Sequence, residues 1–159
     1  MKMKILNTIA LGCVVLTMAF PGSAAERQNK GKNDYTRTVS RPYEDVLAAV
    51  KAAAQKQGFR VSNVHDIAAS LRKDGINREP YATVEVCNSK IAADVLNAQP
   101  LLGSVMPCRI AVFQKGNETT VSMVRPSRLM TLFPGSSEVK KEAQQVEKSM
   151  EAIVDEATR

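Results

Sequence analysis

The chemistry this sequence offers rests on two cysteines. Cys87 and Cys108 flank the stretch "NSKIAADVLNAQPLLGSVMP" in a chain with three cysteines in all. Sulfurs at that spacing have four uses: a structural disulfide, a metal site, a redox pair, or two separate buried thiols. Cys87 closes the strand-like run "YATVEVC" just before a helix start at Asn88 or Ser89. A helix dipole there favours a thiolate, which makes Cys87 the better nucleophile or ligand. Cys108 follows Pro107 and opens a strand whose Ile110 and Val112 share its face, so it is expected to point toward the core.

Little else in the chain suggests catalysis. It has no Gly-rich phosphate loop, no nucleophile elbow and no C-x-x-C motif. Its one histidine, His65, precedes Asp66 at a predicted helix start and reads as a surface turn residue. Glu138, Glu142, Glu147 and Glu151 recur at helical spacing and read as a solvated face rather than a general-acid pair. The balance leans away from an enzyme.

The elements that must position the cysteines follow from periodicity. Tyr43, Val46, Leu47, Val50 and Ala54 keep helical spacing, with Pro42 at the start and Gly58 as the C-terminal cap. "FRVSNV" alternates as a strand, and "HDIAASLRKDG" reads as a short helix capped by Asp66 and stopped at Gly75. "YATVEVC" is a strand, "NSKIAADVLNAQ" a helix, and "CRIAVFQKGNETTVSMV" a hairpin turning between Lys115 and Glu118. The Asn117-Glu118-Thr119 sequon falls on that turn and is read as turn chemistry. Beyond the Pro134-Gly135 break, Val139, Ala143, Val146, Met150, Ile153 and Ala157 stripe a long terminal helix over 136–157. The order is β-α-β-(short α)-β-α-β-β-α. It predicts a single α+β domain over 37–159, a mostly antiparallel sheet with helices packed on it.

The N-terminus sets the expected compartment. Lys2 and Lys4 precede an apolar run from Ile5 to Phe20, then Pro21, Gly22 and the small residues of "SAA". That pattern is a secretory signal peptide over 1–25, cleaved near Ala25. The apolar run is shorter than the ~20 residues that span a bilayer. Cys13 in "ALGC" suggests a lipidation site, but Val14, Val15 and Leu16 continue the apolar run past it. The expectation is a periplasmic protein that meets the membrane only through the transient signal. Removing Lys2 and Lys4 lowers the formal charge from +6 to +4. Much of that excess sits in residues 26–36 and just beyond, read as a flexible basic arm. Export and the single aromatic, Tyr35, among those charges argue against a nucleic-acid partner.

Topology decides whether the cysteines meet. In parallel neighbouring strands they would lie at opposite ends of the sheet, about 20 Å apart. In antiparallel strands both reach the same end. A disulfide closing about 22 residues would then stabilise by roughly 3 kcal/mol, and an oxidising compartment favours it. Two buried thiols are the next reading. A redox pair or a soft-metal site follows, copper as Cu(I), with Met106, Met123 or His65 as further ligands.

Three stretches carry a likeness: "YEDVLAAVKAAAQKQGF", "YATVEVCNSKIAADVLNAQPLLGSVMPCRIAVF" and "VSMVRPSRLM". Over about residues 43–130 they resemble the bacterial family catalogued as domain of unknown function 302. Cys87, Asn88, Pro107 and Cys108 match its pattern. Ser89 stands where the family usually has proline, and Arg125 where it tends to have an acidic residue. The resemblance implies an α+β fold and no established activity.

The sequence thus predicts a binding module for a small ligand or an envelope protein, with no cofactor. Its expected cleft joins Asn88, Leu101, Met106 and Pro107 beside the cysteine pair. Thiol redox or copper handling is the alternative. The apolar stripe of the terminal helix offers a dimer contact or a packing face on the chain's own sheet.

Overall fold

A computed structural model describes residues 33–133 and 137–159, together with the backbone of 27–29. The expected signal peptide, its cleavage point and Cys13 lie outside the described residues. The elements run β1 (Arg27–Asn29), β2 (Asp34–Val39), α1 (Tyr43–Lys56), β3 (Arg60–Asp66), α2 (Ile67–Lys73), β4 (Tyr81–Cys87) and α3 (Ser89–Ala98). A 3-10 turn (Pro100–Val105), β5 (Cys108–Lys115), β6 (Glu118–Val124), α4 (Pro126–Leu129) and α5 (Ser137–Ala157) follow.

The strands form one six-stranded sheet in the order β1-β2-β6-β5-β4-β3, with every neighbouring pair antiparallel. Alternation along β2, β4, β5 and β6 gives one face to the core. Tyr35 and Val39, Ala82, Val84 and Val86, Ile110 and Val112, and Val121 and Met123 form it. Helices α1 and α5 cover that face. Val46, Val50, Ala53 and Ala54 from α1 meet Val146, Met150, Ile153, Val154 and Ala157 from α5. The terminal stripe is therefore spent on the chain's own core.

Local signals set the element ends. At the end of α1, Gly58 takes φ +77, a conformation that costs other residues a steric clash. Its amide donates to Gln55 O, and Phe59 N donates to Ala54 O. Asp66 caps α2 by accepting from Ala69 N at 2.8 Å. The β5–β6 hairpin has Lys115 opposite Glu118, and Gly116 at the first loop position takes φ +62, as a II′ turn requires.

The expected fold class and element order stand, with three short elements added. Within the stretch expected as an arm, Arg27–Asn29 pair with β2 and Asp34–Thr36 belong to β2. The segment after α3 is a 3-10 turn rather than a loop. His65 lies within strand β3, paired with Thr83, rather than at a helix start. Among the described residues no helix is long and apolar enough to cross a membrane.

Candidate functional site

β4 and β5 are adjacent and antiparallel, so α3 and the 3-10 turn form an excursion from one rim of the sheet. The chain leaves that rim at Cys87 and re-enters at Cys108. Cys108 pairs directly with Val86. Cys87, one residue further along, is therefore about 6 Å from Cys108 between Cα atoms, inside the range a disulfide spans. Strict alternation would place Cys87 on the face opposite Val86. β4 ends there, however, and Cys87 and Cys108 border one small hollow.

Both cysteines are unbonded and partly buried. Burial pushes the Cys108 thiol up to about 11, and the neighbouring Cys87 adds to the rise. At neutral pH the thiolate fraction at Cys108 is on the order of one molecule in ten thousand. A resident nucleophile at Cys108 is thus disfavoured, whereas an apolar wall is what a protonated thiol provides.

Three hollows meet at Cys108. The smallest, about 30 Å³, lies among Phe59, Val86, Cys87, Asn88, Met106 and Pro107. A second of about 80 Å³ runs between α3 and α5, walled by Ile91, Val95, Leu102, Val139 and Val146. A third of about 230 Å³ opens toward Ser104, Arg109 and Met150. The last two share Val105, Cys108, Pro126 and Leu129. The cause lies in α3. Its Ile91 and Val95 are spaced to face inward, yet no residue of α3 is fully buried. A larger hollow of about 600 Å³ beside Met130–Phe133, Lys140 and Gln144 holds no thiol and no carboxylate.

Asn88 has a structural task as well as a position at the rim. Its side chain caps α3 by accepting from Ile91 N at 3.2 Å, while its Nδ2 donates to Gly58 O at 3.3 Å. The α1–β3 turn is thereby tied to the site. Of the expected cleft residues, Asn88, Met106 and Pro107 border the hollows. Leu101 does not: it is 65% exposed, and Leu102 at 1% takes the inward place. His65 pairs four residues back along β4 from Cys87, about 13 Å away. Met123 is buried in the core opposite Ile110. Neither joins the cysteines. Among the described residues, no group of three or more His, Cys, Asp or Glu side chains is gathered around one point.

A second polar cluster escaped the sequence reading. Arg125 donates to Glu147 at 2.9 Å and also to Glu151. Arg37, on the core face of β2, donates to Asp155 at 2.6 Å and to the Tyr35 hydroxyl at 2.8 Å. That hydroxyl donates to Asp155 at 2.6 Å. Burial works against the charged form of Arg125, but Glu151 and Glu147 overcome it and raise its pKa. Burial likewise opposes the Glu147 carboxylate. Hydrogen bonds from Ser127 and the Arg125 charge outweigh burial and hold it below the usual range. Glu147 and Glu151 are thus clamps between α5 and the sheet, not members of a solvated face.

Residues 35–157 match the family described as Domain of unknown function DUF302. The chain belongs to the DUF302 family. The match takes in β2 and α5 as well as the stretch that carries the cysteine pattern. Among solved structures, the DUF302 chain is similar to the crystal structure of uncharacterized conserved protein DUF302 from Bacillus stearothermophilus. The two share 28% identity with a TM-score of 0.74, over 81% of this chain and 100% of that one. No curated protein matches.

Proposed function

We propose that this DUF302 protein is an exported, periplasmic, non-enzymatic module that binds a small apolar ligand between α3 and α5. The observation that carries the reading is the convergence of three hollows on Cys108 beneath a helix whose apolar face is only partly buried. Helix propensity alone does not hold a ten-residue helix in water. An occupant of the hollow would supply the burial that α3 lacks. Aliphatic walls with few polar groups suit an apolar group. Export is supported by the leader-like pattern over residues 1–25. An alkaline-phosphatase fusion to that segment tests it: activity is expected, and an inactive fusion removes the compartment.

Indole is a suitable probe for the hollow. Titrated into isotopically labelled protein, it is expected to shift Ile91, Val95 and Val105 saturably. Val105→Phe, which fills the shared wall, is expected to abolish those shifts. Absence of saturable shifts at these residues in the folded wild type would exclude the reading.

A second reading is favoured by the closeness of Cys87 and Cys108: a thiol redox pair. Exchange with glutathione disulfide would join the two sulfurs and release two glutathione thiols. Equilibration in glutathione buffers tests it. A reversible Cys87–Cys108 bond supports the reading, and two thiols that stay reduced across the range exclude it.

A further inference from the structure

The smallest hollow differs from its neighbours in its donors. Cys87, Met106 and Cys108 all border it, residues that between them carry two thiols and one thioether, around about 30 Å³. That is room for a single small ion. The remaining lining is Phe59, Val86, Ile91, Ala92, Pro107 and Val146, with Asn88 as the other polar side chain. Asn88 already uses both ends of its amide, on Ile91 N and Gly58 O. Sulfur is therefore the chemistry left to meet an occupant.

We propose that Cys87, Met106 and Cys108 form a three-sulfur site for a soft monovalent cation, Cu(I). This rests on the thiol reading of the same pair and narrows it to a ligand set. Thiolate and thioether donors select Cu(I) over harder ions, and the apolar lining limits the water around it. Uptake balances as one Cu(I) and two thiols giving a bis-thiolate complex of charge −1 and two protons. The thioether adds no charge. The amide end of α3 lies at the residue after Cys87 and favours the negative complex. Two side chains suggested by the sequence are left out of the set. His65 lies far along β3, and Met123 faces Ile110 in the core.

The full chain carrying Cys13→Ser, reduced and kept anaerobic, is titrated with Cu(I) against bathocuproine disulfonate. A parallel titration uses Ag(I), which does not cycle its redox state. One equivalent of either ion is expected, with both thiols then shielded from Ellman's reagent. X-ray absorption on the copper form is expected to show three sulfur neighbours and no nitrogen. Met106→Leu is expected to weaken binding by about tenfold and remove one sulfur, while His65→Ala and Met123→Leu leave both unchanged. Far-ultraviolet circular dichroism on each variant confirms the fold. The Ag(I) titration of the Cys13→Ser chain keeps the test open if a ligand variant unfolds. No stoichiometric uptake by folded protein with two titratable thiols overturns the site. Unchanged binding in folded Met106→Leu overturns the three-sulfur set. A chain that refuses metal yet forms a reversible disulfide in glutathione buffers loses this inference and keeps the thiol reading. A chain that does neither loses both.

Discussion

Two polar regions flank α5, and they are built on opposite terms. Near β2, Arg125 pairs with Glu147 and Glu151, Arg37 pairs with Asp155 and the Tyr35 hydroxyl, and both guanidinium groups lie over the Tyr35 ring. Further along the same rim, toward β4, Cys87 and Cys108 are unbonded beside three hollows. Desolvated charges persist only when paired, so the first region is spent on holding α5 to the sheet. Thiols tolerate burial without partners, so the second keeps its chemistry available. Titratable groups alone single out the paired cluster. The useful distinction is whether their interactions are already satisfied.

The largest effect expected from breaking the paired cluster comes from Arg125→Met. It would leave Glu147 and Glu151 facing each other without their cation. Losing one member of a buried pair costs 3–5 kcal/mol in general, and about 3 kcal/mol is expected here because Glu151 is 30% exposed. Urea unfolding measures it. A loss under about 1 kcal/mol would mean the cluster is an ordinary surface ion pair.

Acid should attack the same region. Glu147 is held below the ordinary glutamate value of 4.5 in the fold. Its contribution is thus fully present above 4.5 and is lost as pH falls through the lower folded value. Thermal melts between pH 6 and pH 2 should show this fall, and Glu147→Gln should flatten part of it. An unchanged acid profile in that variant would contradict the shift. Tyr35→Phe is a milder break. It removes the hydroxyl shared by Arg37 and Asp155, which still bond each other, so about 1–1.5 kcal/mol is expected.

The two regions were unequally legible in the sequence. The cysteine rim could be read because "YATVEVC" ends and "CRIAVF" begins at a thiol, although alternation alone would turn Cys87 to the face opposite Val86. Only the antiparallel pairing of β4 with β5 was missing. The cleft was half legible. Neighbouring Leu101 and Leu102 are both apolar, and the 3-10 turn, not composition, sends Leu102 inward and Leu101 to solvent. The ionic cluster was hidden for a different reason. Glu147 and Glu151 keep the helical spacing of a wet face, and their partner comes from the start of α4, more than twenty residues earlier. Arg37 breaks the apolar alternation of β2, the one local sign of a buried charge.

The smallest effect should follow Cys108→Ala, which sharpens the comparison from the other side. Removing one sulfur from a packed core would cost about 1 kcal/mol or more, from lost transfer energy and a new cavity. Here the side chain borders hollows of about 30, 80 and 230 Å³, so part of the void exists before the substitution. No hydrogen bond is broken, and no charge is stranded. A loss of about 0.5 kcal/mol is expected, with the fold intact by circular dichroism. A loss near 3 kcal/mol would mean that Cys108 anchors its part of the rim as Arg125 anchors the part beside β2, and the contrast between a spent region and an available one would fail. A small loss would show that the rim's stability does not require a thiol at this position.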